Sequence, residues 1–366
     1  MTETPRLFLM AGGGTGGHVI PAIAVARELV RRGNEVLFVG TERGVEARLV
    51  PAAGFRLDRI RVGGIKNLGL LTRIVSVWRL FAETIGQLNG FSTRRPGAVF
   101  SMGGYVAGPP VLAAILRRVP VVIMEPNAVP GVTNRWIAGR VARALIAFEE
   151  TRSFFPEGKT ELTGLPVRQE FFDLPEKPEQ PEFTVLITGG SQGSQRLNNA
   201  ARQSWARFQK SGLPVRFIHQ TGLAMHQDLE AEFAKTGLKG EIRPFIQDMP
   251  GAFAEADLIV CRSGAGAVSE LAAAGKPSVL VPFPFAADDH QLKNAQAFEK
   301  AGAAVLSLDR DWTAEKFFDT VSSLCGDRPR LRAMGEKARA LARPGAAQRA
   351  AQILIDIASD GRNNRN

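Results

Sequence analysis

Two segments of this chain open in the same way. Leu7-Phe8-Leu9-Met10 runs into Gly12-Gly13-Gly14-Thr15-Gly16-Gly17-His18, and Thr184-Val185-Leu186-Ile187 runs into Gly189-Gly190-Ser191-Gln192-Gly193. A short apolar run bounded by glycines reads as a buried strand, and the glycine turn feeds a helix. After the first opening, residues 21–32 read as a helix with Ala22, Val25, Ala26 and Leu29 on one face. Val36-Leu37-Phe38-Val39, Ala98-Val99-Phe100 and Val121-Val122-Ile123-Met124 are further strands. After the second opening come Leu258-Ile259-Val260-Cys261 and Ser278-Val279-Leu280-Val281. Strands alternating with helices imply parallel sheets covered on both faces. The expected class is α/β, with two Rossmann-like parallel-sheet domains facing each other across a cleft. Pro175, Pro178 and Pro181 among Asp173, Glu176, Lys177, Glu179 and Glu182 predict a linker over about 170–182. The expected domains are 1–165 and 166–344. Residues 335–358 read as helix with a break at Pro344-Gly345, and the last segment, about 345–366, is expected to pack back on the first domain.

Composition narrows the function. At 366 residues, 45% hydrophobic and 22% charged, the chain is neither disordered nor fibrous. Two cysteines cannot build a disulfide framework, and no Cys/His cluster has zinc spacing, which favours a reducing compartment. The first residues carry no secretory pattern, and no run reaches the ~18 apolar residues of a spanning helix. The expected protein is soluble or lies on a membrane. Its net charge of +10 is uneven: residues 1–150 hold 19 Lys and Arg against 10 Asp and Glu, and the remainder 27 against 26. Such a field suits nucleic acid, an anionic membrane or an acidic substrate. No helix-turn-helix, zinc or aromatic RNA-binding signature is present, so nucleic acid is not an expected partner.

The glycine turns carry the chemistry. Glycine allows positive φ and close backbone approach, and N–H groups at a helix start favour an anion. The first turn resembles a dinucleotide fingerprint, but its strand-two acid is missing: Phe38-Val39-Gly40-Thr41 leaves Glu42 as the nearest. His18, at the usual ligand crevice, can act as a base near neutral pH. The turn Gly189 to Ser194 offers serines and N–H groups to a phosphate. In Cys261-Arg262-Ser263-Gly264-Ala265-Gly266-Ala267-Val268-Ser269-Glu270 a strand ends in a small-residue turn. A helix start there can face a diphosphate, with Glu270 placed to accept two vicinal hydroxyls.

In their order these segments resemble one family, the bacterial undecaprenyldiphospho-muramoylpentapeptide β-N-acetylglucosaminyltransferases. The likeness also rests on Met102-Gly103-Gly104-Tyr105, Glu125-Pro126-Asn127 with Thr133-Asn134, Gly164-Leu165-Pro166-Val167-Arg168, and His290-Gln291 with Asn294-Ala295, and spans nearly the whole chain. It implies a GT-B inverting glycosyltransferase needing no cofactor and no bound metal. The donor is UDP-N-acetylglucosamine and the acceptor a polyprenyl-diphosphate-linked muramoyl-pentapeptide, joined β1→4 at the cytoplasmic membrane face in cell-wall synthesis. The family's role also implies a part in cell shape and division. On this reading His18 is the base and Glu125 a second catalytic residue. Thr15, Gly16 and Gly17 line the donor, Asn127 and Gln291 contact the sugar, and Arg168 and Ser191 meet the phosphates. Ile246 offers backbone bonds to uracil, Ala265, Gly266, Ala267, Val268 and Ser269 hold the diphosphate, and Glu270 the ribose. Tyr105, Asn134 and Asn294 are acceptor-cleft candidates. Pro126 and Leu165 depart from the family's common Gln and Asn, and Gly266-Ala267 from its Leu-Thr.

Residues 65–88 supply a membrane face. Between Asp58 and Glu83 no acid occurs, while Arg59, Arg61, Lys66, Arg73 and Arg79 are basic. Leu70, Leu71, Ile74, Val75, Trp78, Leu80 and Phe81 supply more apolar surface than one buried helix face needs, and Trp suits the headgroup boundary. Each basic residue near an anionic leaflet contributes ~1 kcal/mol. Asp309-Arg310-Asp311 has the spacing of a metal motif but reads as a loop and helix cap before Trp312. Rival readings are a UDP-N-acetylglucosamine 2-epimerase or a lipid glycosyltransferase on the same fold, a nicotinamide oxidoreductase, and a non-enzymatic binding module.

Overall fold

A computed structural model describes residues 5–42, 44–61, 82–92 and 94–363. The membrane-face residues Lys66, Leu70, Arg73, Ile74, Trp78, Arg79 and Phe81 lie outside the described residues. Among those described, no helix is long and apolar enough to cross a membrane. The chain divides into two units, Met1–Val167 with Gly345–Asn366, and Arg168–Pro344.

Unit 1 is built on a seven-stranded sheet of order β3-β2-β1-β4-β5-β6-β7, every pair parallel. The strands are β1 Leu7–Ala11, β2 Glu35–Thr41, β3 Arg56–Ile60, β4 Ala98–Ser101, β5 Val121–Glu125, β6 Arg143–Ile146 and β7 Thr160–Leu162. All of β4 and β5 is buried, which is why they read as unbroken apolar runs. The edge strand β3, Arg-Leu-Asp-Arg-Ile, is mostly exposed and carries no such run. The first helix, Gly16–Arg31, starts five residues earlier than the apolar stripe suggests. Thr15 is extended, and its carbonyl accepts the N–H groups of His18 (3.2 Å) and Val19 (3.3 Å), so the glycines form the first turn. Pro21 is tolerated because the bond it forfeits, to the Gly17 carbonyl, lies at the exposed helix start. The terminal helix Ala346–Asn363 belongs to this unit, where Arg32 Nη1 donates to Gln352 Oε1 at 2.8 Å. It is parted from the helix Arg328–Leu341 by a turn at Pro344-Gly345, with Gly345 at φ +76°.

Unit 2 has a six-stranded parallel sheet of order β10-β9-β8-β11-β12-β13. Its strands are β8 Phe183–Thr188, β9 Val215–Gln220, β10 Lys239–Arg243, β11 Leu258–Cys261, β12 Ser278–Leu280 and β13 Ala304–Leu306. Phe208 packs edge-on against Phe217 at 5.1 Å and joins Phe317 and Trp312 in the core. Each such side chain contributes about 1.5–3 kcal/mol by burial. The stretch 170–182 runs along this unit. Phe171 is buried edge-on against Phe253 at 5.0 Å, Lys177 Nζ lies 2.5 Å from Asp257, and Arg328 Nη2 donates to the Gln180 carbonyl at 3.2 Å. Prolines and charges here fasten a segment to the sheet's flank rather than span open solvent.

Candidate active site

In each sheet the strand order reverses once, between β1 and β4 in unit 1 and between β8 and β11 in unit 2. Loops leaving the carboxyl ends of those strands diverge and open a crevice, the usual ligand position of such sheets. Both glycine turns and the Ser263 turn lie there.

In unit 1, half-buried His18 has its Nδ1 3.2 Å from the Gly13 carbonyl. That acceptor assigns the proton to Nδ1 and leaves the lone pair on Nε2, the tautomer a general base needs. Gly103 and Gly104, both at φ +77°, carry the chain past the imidazole. A Cβ on Gly104 would stand 3.7 Å from the His18 ring, and one on Gly14 would stand 3.7 Å from the ring of Tyr105. Tyr105 is 42% exposed, so the loops after β1 and β4 bring an imidazole and an open phenol to one crevice. Thr15 and Gly17 are exposed beside them and Gly16 half-buried.

The acid at the first turn is Glu46, which sequence reading passed over in favour of Glu42. It is wholly buried. Its Oε2 accepts the Gly14 N–H at 2.9 Å, and its Oε1 accepts the Thr41 N–H at 2.9 Å and the Thr41 hydroxyl at 2.6 Å. Burial alone raises its pKa, but the Thr41 hydroxyl and the N–H groups of Gly14 and Thr41 outweigh it and hold the carboxyl below its ordinary range. A Cβ on Gly13, Gly40 or Gly44 would stand 2.2–2.5 Å from this side chain. The Gly14 N–H of the first turn is therefore already taken by a protein carboxylate. Its glycines admit Glu46, and an incoming phosphate would meet a buried negative charge.

Glu125 and Asn134 are placed differently from expectation. Glu125, at the end of β5, is 2% exposed. Its Oε1 accepts from the backbone N–H (3.0 Å) and the side-chain Nδ2 (3.3 Å) of Asn127. Its Oε2 accepts from Gly131 N–H (3.1 Å) and Asn134 Nδ2 (2.8 Å). Burial raises its pKa against the pull of these bonds. With every lone pair turned to the loop 127–134, Glu125 shapes that loop, where a catalytic contact was expected. Asn134, also 2% exposed, is part of the same brace and not an open cleft residue. Half-buried Asn127 is what the brace presents.

In unit 2 the second turn is open. Ser191 is exposed, and Gly190, at φ +87°, has no atom within 4 Å of a notional Cβ. The helix after this turn, Gln195–Ser211, is capped by Ser194, whose hydroxyl accepts the Leu197 N–H at 3.4 Å. The helix Ala265–Ala274 has no side-chain cap and no acid in its first turn. Its first helical N–H bond is Val268 to the Gly264 carbonyl, at 3.1 Å. The N–H groups of Ala265, Gly266 and Ala267 thus form the helix start that an anion can occupy. Val268 does not share that role, since its N–H is spent on the Gly264 carbonyl and its side chain lies in the core. Half-buried Ser269 follows it.

Neighbouring residues hold this helix start in place. Arg262 Nη1 lies 2.6 Å from Asp309 and donates to the carbonyls of Val281 and Pro282, both at 3.0 Å. Asp309, which also pairs with Arg196, therefore anchors Arg262, while Thr313 caps the next helix. Among the described residues no cluster of three His, Cys, Asp or Glu forms a metal site. Ser263 donates its hydroxyl to the Gln291 carbonyl (2.8 Å), and Asn294 Nδ2 donates to the Ser263 carbonyl (3.1 Å). Asn294 is fully buried, so it is a brace, where acceptor contact was expected. Gln291 Oε1 accepts the Phe283 N–H at 3.0 Å, which orients its amide. Buried Ile246 spends its N–H on Gln220 Oε1 at 2.8 Å, so its carbonyl is what remains for a base. Exposed Arg168 sits 4.9 Å over the Phe171 ring, and its charge reaches Glu270. Burial pushes the Glu270 carboxyl up to about 7, against the pull of Arg168.

Two parallel Rossmann-like sheets with such loops at their carboxyl ends are the architecture of GT-B glycosyltransferases. The solved structure of Acinetobacter baumannii MurG is similar, with a TM-score of 0.81 and 34% identity, covering 96% of this chain and all of that one. At the level of fold alone, the UDP-GlcNAc 2-epimerase of Neisseria meningitidis matches with a TM-score of 0.68 and 13% identity, covering 96% of this chain and 100% of the other. The N-terminal domain of glycosyltransferase family 28 matches residues 8–146 and the C-terminal domain residues 184–350. The chain belongs to glycosyltransferase family 28. A relative from Solibacter usitatus, named UDP-N-acetylglucosamine–N-acetylmuramyl-(pentapeptide) pyrophosphoryl-undecaprenol N-acetylglucosamine transferase, is 61% identical over 358 residues, 98% of each chain.

The Glu270 carboxyl makes a pH test. A Glu270 that accepts ribose hydroxyls would do so in its ionised form, so a bound UDP-sugar would lower its pKa and binding would strengthen as pH rises through about 7. Calorimetric titration with UDP-N-acetylglucosamine from pH 5.5 to 8.5 is expected to show this rise and its loss in Glu270→Gln. A flat wild-type profile would remove Glu270 from the ribose contact.

Proposed function

We propose that this chain transfers N-acetylglucosamine from UDP-N-acetylglucosamine to the 4-hydroxyl of a polyprenyl-diphosphate-linked N-acetylmuramoyl-pentapeptide, with inversion, releasing UDP. The 61% identity over 98% of the chain to the Solibacter usitatus enzyme carries the reading. The likeness to an epimerase, at 13% identity, is one of fold.

The two units divide the work. Unit 2 holds the donor: Ile246 meets the base, Glu270 the ribose, and Arg168, Ser191 and the N–H groups of Ala265 to Ala267 the diphosphate. Gln291 meets the sugar. These donors face the charge that grows on the departing UDP, and a fixed dipole there lowers the barrier without reorganising. Unit 1 takes the acceptor. His18 Nε2 removes the hydroxyl proton as the oxygen attacks the anomeric carbon, while Glu125 and Asn134 hold the loop that presents Asn127. Docking on an anionic membrane through the basic, apolar segment 65–88 brings the enzyme to its lipid-linked acceptor. We place it on that basis at the cytoplasmic membrane face, in peptidoglycan synthesis, with the consequent part in cell shape and division.

The test is transfer of labelled sugar from UDP-N-acetylglucosamine to a short-chain lipid-linked muramoyl-pentapeptide, with and without EDTA. Transfer that survives EDTA is the expected result. Donor binding without transfer would keep the donor site and move the reaction to another acceptor or to epimerisation.

A further inference from the structure

We propose that Gln220 is a positioning residue that locks the nucleobase loop and the phosphate loop of the donor site into one register. The inference rests on the donor reading above. Gln220 ends β9, is 2% exposed, and uses both ends of its amide. Its Oε1 accepts the Ile246 N–H at 2.8 Å, and its Nε2 donates to the Gly190 carbonyl at 2.8 Å and to Thr188 Oγ1 at 3.2 Å. The Thr188 hydroxyl in turn accepts the Gly190 N–H at 3.2 Å. Both backbone polar groups of Gly190 are therefore held, the N–H by Thr188 and the carbonyl by Gln220 together with the Gly193 N–H. Gly190 sits at φ +87° with no atom within 4 Å of a notional Cβ, so hydrogen bonds set its conformation: those from Gln220 and Thr188 and the turn bond from the Gly193 N–H to its carbonyl at 2.9 Å.

One amide at the end of β9 thus connects the loops that follow β8 and β10. Its carbonyl end sets the Ile246 peptide so that the base is offered a carbonyl and no N–H. That polarity suits a ring N–H, as in uracil, and opposes the ring-nitrogen lone pair of cytosine. Its amino end sets the Gly190 peptide and hence the direction in which Ser191 faces a phosphate. A side chain lacking the carbonyl end leaves the buried Ile246 N–H without its partner, one lacking the amino end leaves the Gly190 carbonyl with the Gly193 N–H alone, and the affected loop relaxes.

Two variants of the full chain separate these ends. Thr188→Val frees only the Gly190 side, and Gln220→Met frees both. UDP and uridine binding are measured by calorimetry, with kcat and KM for the donor alongside. For Gln220→Met, UDP affinity is expected to fall about tenfold and uridine affinity about threefold, by loss of buried hydrogen bonds. At saturating donor its kcat stays within about threefold, because the loss is one of donor binding. For Thr188→Val, UDP affinity falls about threefold while uridine affinity is unchanged. Wild-type affinities in both variants would overturn the proposal. So would Thr188→Val weakening UDP and uridine equally, or Gln220→Met lowering kcat with KM unchanged. If the wild-type protein binds neither UDP nor uridine, the donor reading itself fails, a result distinct from all of these.

Discussion

Replacing His18 with alanine is expected to lower kcat by about 10²–10⁴-fold, the usual contribution of a positioned general base. UDP-sugar affinity should stay within about threefold, because the change removes a group that acts on the acceptor. The direction follows from where the imidazole is held. Its Nδ1 is turned to the Gly13 carbonyl at 3.2 Å, which leaves Nε2 as the basic nitrogen at the crevice of unit 1. The groups proposed for the donor lie in unit 2, at Arg168 and on the segments that follow β8, β10, β11 and β12. Single-turnover transfer and a separate UDP titration read the two quantities independently. Equal losses in both would assign His18 to binding or to the turn's structure. Because Glu46 already fills the neighbouring turn, truncation of His18 leaves the backbone of residues 13–15 in place.

Gly193→Ala is expected to be the most destructive small substitution in unit 2. Its notional Cβ stands 1.8 Å from the Thr221 carbonyl oxygen, and its φ is +75°. Across the contact, a Cβ on Gly222 would stand 2.1 Å from the Gln192 carbonyl oxygen. Two backbones touch here, so no flexible side chain can yield. The left-handed backbone costs about 1–2 kcal/mol for an L-residue, and the clash adds enough to reach about 3–5 kcal/mol in all. Gly212 is the control: its φ is +67°, but nothing lies within 4 Å of its notional Cβ. Gly212→Ala should therefore cost only about 1 kcal/mol. Urea titration of the two variants reads the difference, and UDP binding should be lost with Gly193→Ala alone. Similar stabilities would mean that the loop 189–193 can move away from Thr221 at little cost.

Much of the fold is legible from local pattern. The buried central strands β1, β4, β5, β8, β11 and β12 show as apolar runs because both faces of each are covered. The edge strands β3 and β10, Arg-Leu-Asp-Arg-Ile and Lys-Gly-Glu-Ile-Arg, do not, because solvent reaches them and their polar residues resemble loop. The start of the first helix is hidden in the sequence for a related reason. Glycines carry no apolar signal, and only the Thr15 carbonyl, bonded to His18 and Val19, shows that the turn is already helical.

The site divides along the same line. Motif and resemblance named residues that the fold leaves exposed, Tyr105 and Ser191, or half-buried, His18, Asn127, Glu270 and Gln291. They also drew in Glu125, Asn134, Val268 and Asn294, which sit in the same motifs but point into the protein. A motif records that a residue type is needed and not which way its side chain turns. Glu46 and Gln220 lie outside every motif that was read. Glu46 reaches Gly14 across 32 residues, and Gln220 reaches Gly190 across 30 and Ile246 across 26.

From its sequence alone, this chain is committed to two parallel α/β sheets, each opened by a glycine turn, with one half strongly basic. Strand burial, turn chemistry and charge are short-range properties that survive in a linear string. Which of the two glycine turns is left for an anion is decided by tertiary structure. The two turns offer similar backbone N–H groups, but folding places the Glu46 carboxylate against the first and leaves the second to be held open by Gln220 and Thr188. A single carboxylate 2.9 Å from the Gly14 N–H sets the two loops apart, because that N–H is already spent and the nearby charge opposes a second anion beside it.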